Sequence, residues 1–147
     1  MGCVVRALAL SLALTACGSP EQTVYVAETL REPARIAIDA WNARLSRTCP
    51  DVQLTTTPHP EADITIAYGD MSPAAEPNDQ ASERFGDIRV SVRARPAFLP
   101  TLLTHELGHA LGLSHSPHAD DIMVDPLASD REPWPSTRDV YRVCNGD

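Results

Sequence analysis

The sequence predicts an α+β domain, and three observations predict it. Short stretches with strand character lie at residues 23–27, around Val52 and Leu54, at 62–68, and through Ile88, Val90 and Val92. Stretches with helical spacing or helix-end signals alternate with them, at residues 33–46, around 103–110 and at 138–144. The length of 147 residues suffices for one core and falls short of two ordinary domains. An apolar fraction of 43% and a charged fraction of 22% suit a folded chain and argue against disorder throughout.

Residues 1–16 carry one cation, Arg6, and then the largely apolar run 7–16. That run is too short to cross a bilayer as a finished helix and reads as the apolar segment of an export signal. Leu14-Thr15-Ala16-Cys17 resembles the lipobox of bacterial lipoproteins, in which cleavage precedes the cysteine and lipid is attached to it. Arg6 occupies the place where a myristoylation motif needs Ser or Thr, so that route is set aside. The expected organisation is a lipoprotein-type signal at 1–16, a polar tether at 17–22 and a domain at 23–147. The expected location is the bacterial cell envelope, held by lipid on Cys17. Gly18 is not the Asp of an inner-membrane retention signal, which favours an outer membrane where two exist; the alternative is plain secretion.

In the domain, residues 23–27, T-V-Y-V-A, suit a first strand. Pro33 fits a helix start because its missing N–H is not needed there. From it Ala34, Ala37, Ile38, Trp41 and Leu45 recur at helical spacing, which predicts an amphipathic helix over 33–46 with Trp41 as a core anchor. Cys49-Pro50 breaks the chain before a short strand at Val52 and Leu54. Residues 62–68, A-D-I-T-I-A-Y, form the clearest strand, with Ile64 and Ile66 on one face. Residues 69–84 show no apolar period and read as a surface loop. Ile88, Val90 and Val92 alternate with Arg89 and Arg93, a half-buried strand. Pro96 and Pro100 bracket the start of the next helix, and Ser136 or Thr137 can cap a last helix over 138–144.

Charge and cysteines narrow the partners. The net charge is −8, and all twelve cations are scattered arginines, so a polyanionic nucleic acid would be repelled. A monomer is expected. In an oxidising compartment Cys49 and Cys144 are expected to pair, closing a loop that stabilises by about 4–5 kcal/mol in the chain-entropy view. The alternative is two buried thiols.

Residues 104–125 carry the chemistry. His105, Glu106, His109, Gly112 and His115 stand at the spacing H-E-x-x-H-x-x-G-x-x-H, and Met123 follows eight residues later. At 100° per residue His105 and His109 lie about 40° apart around a helix and one turn apart along it, so both imidazoles reach one ion. Leu103, Leu107 and Ala110 fall on the opposite side, facing the core. Gly112 can take a positive φ, end the helix and return His115 as third ligand. Three protein ligands leave a position open, as in a catalytic zinc site, and Glu106 beside them suits a general base. His118 and His59 read as exposed loop residues, and the adjacent acids Asp120 and Asp121 are a weak signal for calcium.

This segment resembles the active site of metzincin metallopeptidases, and H-E-L-G-H-A-L-G-L-S-H is most similar to the matrixin branch, including its bacterial members. The resemblance implies a small zincin domain: a mixed, twisted sheet of about four to five strands, an N-terminal helix, an active-site helix and a short C-terminal helix. It implies one catalytic Zn2+ on His105, His109 and His115, Glu106 as general base for a zinc-activated water, and Met123 as the methionine of the turn beneath the metal. The implied activity is endopeptidase cleavage of protein or peptide substrates. Three departures stand beside it. No cysteine-switch propeptide is visible, the loop 69–84 lacks the histidine of a second, structural zinc, and the tyrosine of astacin-like relatives is missing after Met123. The antiparallel edge strand on which metzincins lay their substrates has no clear sequence signal; it is either short, near residues 82–86, or lost. The rival readings are a lipid-anchored zinc-binding envelope protein without activity, and an amidase acting on non-peptide substrates.

Overall fold

A computed structural model describes residues 21–70, 81–128 and 130–146. The expected export signal at 1–16 and the lipidation residue Cys17 lie outside the described residues. The chain folds as a five-stranded mixed sheet with three helices, an α+β arrangement. In chain order the elements are β1 (Glu21–Val26), α1 (Arg31–Thr48), β2 (Gln53–Thr57), β3 (Ile64–Tyr68), β4 (Ala81–Arg84), β5 (Asp87–Val90), α2 (Leu99–Ala110) and α3 (Thr137–Asn145). Single 3-10 turns lead into α1 and α2.

The strand order is β2-β1-β3-β5-β4. The first four are parallel neighbours, and β4 runs antiparallel to β5 at the edge. Alternation sets which side chains enter the core: Ile64 and Ile66 from β3 and Ile88 and Val90 from β5 are all buried, as are Val24 and Leu54. Ala34, Ala37, Ile38, Trp41 and Leu45 of α1 meet them at the expected helical spacing, and Leu99, Leu102, Leu103 and Leu107 of α2 complete one continuous core. The two long helices pack on each other, α1 also reaching β2 and α3, and α2 reaching β4 and β5. Trp41 is fully buried, and its Nε1–H donates to the Thr104 carbonyl at 2.8 Å, so the α1 anchor holds α2 one residue before the first histidine.

Several boundaries differ from the sequence reading. β1 begins at Glu21, so Glu21 and Gln22, expected in the tether, pair with Gln53 and Leu54 of β2. A neighbouring strand supplies hydrogen bonds that local composition does not register. The expected loop 69–84 ends in a strand, since Ala81–Arg84 pairs with β5 across the two-residue turn Phe85-Gly86. It is an antiparallel strand at the sheet edge and begins one residue ahead of the stretch 82–86. Val92 lies beyond β5 and is 80% exposed, because the chain leaves the sheet after Val90. Cys49, following α1, and Cys144, in α3, are joined by a disulfide with a Cα–Cα distance of 5.7 Å.

Candidate metal centre

The site is built on α2. Pro100 occupies the first turn of this helix, where no backbone N–H is required, and nearly every residue from Leu99 to Gly108 is buried. Two side-chain bonds fasten it from within: the Thr104 hydroxyl donates to the Pro100 carbonyl at 2.8 Å and the Thr101 hydroxyl to the Arg131 carbonyl at 2.6 Å. The helix ends in a Schellman turn. Gly112 N–H donates to the His109 carbonyl and Leu113 N–H to the Gly108 carbonyl, both at 2.9 Å, with Gly112 at φ 95°. Positive φ is the feature that required glycine there.

That turn also aims a ligand. The Leu113 carbonyl it swings round accepts a hydrogen bond from His109 Nδ1 at 2.8 Å, while His105 Nδ1 donates to the Ile122 carbonyl at 2.8 Å. A carbonyl only accepts, so both rings carry their proton on Nδ1 and leave a lone pair on Nε2. Yet the two Nε2 atoms lie 3.2 Å apart, and His115 Nε2 lies 3.2 Å from that of His109. Two facing lone pairs at this distance repel unless a cation sits between them. Four-coordinate zinc with Zn–N near 2.0–2.1 Å places its nitrogens about 3.3–3.4 Å apart, close to the observed spacing. The three histidines, with ligand atoms all within 4.8 Å of one another, therefore fit a single ion. They are the residues that the spacing alone brings together.

Burial tunes the ligands. Removal from water pushes His105 down to about 4, only partly offset by its bond to Ile122, and lowers His109 in the same direction. For both imidazoles burial thus favours the neutral, metal-binding form. His115 is more exposed, with Nδ1 3.6 Å from the Asp125 carboxylate, too long for a hydrogen bond. Glu106, adjacent to His105, is only 6% exposed. His118 is exposed and is not one of the three converging residues, and His59 lies exposed in a loop.

Three supporting features had no place in the motif reading. The first is Gly108, inside the helix between Leu107 and His109. A Cβ there would overlap Met123 Sδ and lie 3.2 Å from Trp41 Cζ2. Met123 is fully buried, so the turn methionine and the Trp anchor meet across a gap that only glycine leaves open. The second is Asp139. Ser136 caps α3 by accepting from Asp139 N–H at 3.0 Å, and Asp139 Oδ2 returns by accepting from Ser136 N–H at 2.8 Å, a capping box. The same Oδ2 accepts from Ile122 N–H at 2.8 Å, and the Ile122 carbonyl is the one that orients His105. The sequence offered Ser136 as a cap, but neither the returning bond from Asp139 nor its reach to residue 122.

The third is Asp121. Far from being an exposed acid available to calcium, it is fully buried and accepts from the hydroxyls of Ser116 and Ser136 and from Arg138. Burial raises its pKa, but these three donors outweigh that and hold it below the usual carboxylate range. Ser116 N–H in turn donates to the Met123 carbonyl at 2.7 Å, so the residue after His115 is tied to the methionine turn. Ala110 is partly buried and packs against the core as expected, and it also lines a cleft of about 520 Å³ beside His109 and the β4–β5 turn.

Residues 80–143 match the family model for matrixins, peptidase family M10. The match runs from the β4–β5 hairpin through α2 into α3 and contains all three histidines, Glu106, Gly112 and Met123. No curated protein matches the chain. The matrixin-like segment thus begins about half-way along the chain, and the α+β fold with its three-histidine cluster is consistent with a small matrixin-like domain.

Proposed function

We propose that this protein is a zinc-dependent endopeptidase. The observation that carries the reading is the convergence of three Nε2 atoms, two of them with lone pairs facing each other at 3.2 Å, next to buried Glu106 on the same helix. The matrixin match supports zinc as the ion and a polypeptide as the substrate. Zinc, when bound, supplies Lewis acidity, which makes water nucleophilic near neutral pH and polarises a carbonyl.

The remaining work falls to the chain. His105 and His109, kept neutral by burial and fixed by their Nδ1–H bonds, present Nε2 in one orientation. The Glu106 carboxylate accepts a proton from the attacking water and passes it to the amine nitrogen as the C–N bond breaks, ending unprotonated for the next cycle. β4 is the last strand of the sheet and packs beside α2. An extended peptide can add to its outer side by backbone hydrogen bonds, which would bring a scissile bond past the histidines.

The test is digestion of a peptide library by wild type, Glu106→Ala and chelator-treated protein. Cleavage by wild type alone is expected, with Glu106→Ala slower by at least about 10²-fold and zinc still bound. Equal rates for wild type and Glu106→Ala would remove Glu106 from the mechanism. We further propose that the domain acts at the bacterial cell envelope, anchored by lipid on Cys17. Metabolic labelling with a fatty acid should mark wild type and spare Cys17→Ser; equal labelling of both would refute the anchor.

A further inference from the structure

The β4–β5 turn holds a residue that neither the fold nor the metal centre explains. The turn consists of Phe85 at φ 54° and Gly86 at φ 82°. Two-residue turns with positive φ at both positions favour Asn-Gly or Asp-Gly, and an aromatic side chain in the left-handed region is disfavoured. Burial does not compensate for it, because Phe85 is 92% exposed. Its ring meets the Arg84 guanidinium at 5.4 Å, a surface contact of a kind that any neighbouring aromatic could make.

The turn around it is rigid. Gly86 N–H donates to the Glu83 carboxylate at 2.6 Å, and the Gly86 carbonyl accepts from Thr65 N–H at 2.7 Å. A Cβ on Gly86 would overlap the Asp63 carbonyl, so the tip is seated directly on the start of β3. Phe85 is thereby held out on a fixed platform. It lines the same cleft of about 520 Å³ as His109 and Ala110, together with Gln22 and Asp63. The cleft borders the metal centre at His109, whose Nε2 lies 3.2 Å from those of His105 and His115.

We infer that Phe85 is a specificity-determining residue: it takes a bulky apolar side chain of an extended polypeptide substrate, held along β4 a few residues from the scissile bond. This rests on the endopeptidase reading. An unfavourable backbone conformation kept at an exposed aromatic is the mark of a residue retained for what it touches from outside. The occupant is a polypeptide because the platform ends a strand at the sheet edge, where an extended chain can add by backbone hydrogen bonds, and because the cleft reaches His109.

The experiment is cleavage-site profiling of a peptide library by zinc-loaded wild type, Phe85→Asn, Phe85→Gly and Phe85→Leu, with melting temperatures and vesicle co-sedimentation measured alongside. Wild type is expected to prefer Leu, Phe or Trp over Ala at one position near the cut by roughly tenfold. That ratio should fall toward unity in Phe85→Asn and Phe85→Gly and largely survive in Phe85→Leu. Melting temperatures of the Asn and Gly variants should equal or exceed wild type, since both residues accept positive φ. An unchanged preference in Phe85→Asn and Phe85→Gly overturns the inference while leaving the peptidase intact. Loss of vesicle binding with unchanged preference overturns it in favour of a membrane contact, and a marked fall in melting temperature of both variants shows a structural role instead. A wild type that cleaves nothing fails the endopeptidase reading itself.

Discussion

Replacing Gly108 with Ala sets two effects of known size against each other. In an exposed helix interior this change stabilises by about 1 kcal/mol, because Ala loses less backbone entropy on folding. At Gly108 the added methyl would occupy the space of Met123 Sδ and press to 3.2 Å from Trp41 Cζ2. Neither neighbour moves freely: Met123 is fully buried, and Trp41 is pinned by its 2.8 Å bond to Thr104. Overpacking of this kind costs about 1–3 kcal/mol, so the expected gain should vanish and turn into a net loss of up to about 2 kcal/mol. Because Met123 and Trp41 border the turn and the helix that carry the ligands, zinc affinity should fall with stability. The assay is urea denaturation of the metal-free protein together with competitive zinc titration. If Gly108→Ala is instead more stable by about 1 kcal/mol, the proposed packing of Met123 beneath the histidines is wrong.

Two further outcomes follow from the same geometry. Asp139→Ala removes the helix cap and leaves the buried Ile122 N–H without its acceptor. That should cost about 2–4 kcal/mol in denaturant and weaken zinc binding by roughly tenfold or more, whereas Asp139→Asn, which keeps an acceptor oxygen, should lose less than half as much; equal losses in both variants would contradict the account. For pH, His105 has a folded value of about 4 against 6.5 in the unfolded chain, so between these values the unfolded state binds more protons. The metal-free protein should therefore keep its full stability above pH 6.5 and lose roughly 3 kcal/mol as pH falls toward 4, with His109 adding loss in the same direction. Urea midpoints for wild type and His105→Gln across that range check it, and an unaltered slope in His105→Gln would refute the assignment.

How far the sequence reaches depends on the range of the interaction that fixes each feature. The helices and the apolar strands were legible because 3.6- and 2-residue periods are local, and α1 and β3 show them plainly. The ligands were legible for the same reason: His105, Glu106 and His109 are set by helical geometry, and Gly112 by the backbone conformation that ends the helix. β4 was not, since Ala81–Arg84 carries mixed polar residues and becomes a strand only by pairing with β5. Nor could local pattern reveal that Asp139 spans 17 residues to hold Ile122. Gly108 reads as an ordinary variable position until Met123 and Trp41 are placed against it. Phe85 fell just past the loop 69–84, within the stretch 82–86, and its exposure and positive φ are properties of the folded hairpin alone.

The central claim is that three imidazoles hold one ion through Nε2. Its most direct test is metal analysis of purified protein combined with X-ray absorption at the zinc edge, on wild type and His109→Ala. The account predicts one zinc per chain, three nitrogen neighbours at about 2.0–2.1 Å, and loss of most of the metal in the variant. Full zinc retention in His109→Ala, or a sulfur neighbour in wild type, would contradict it.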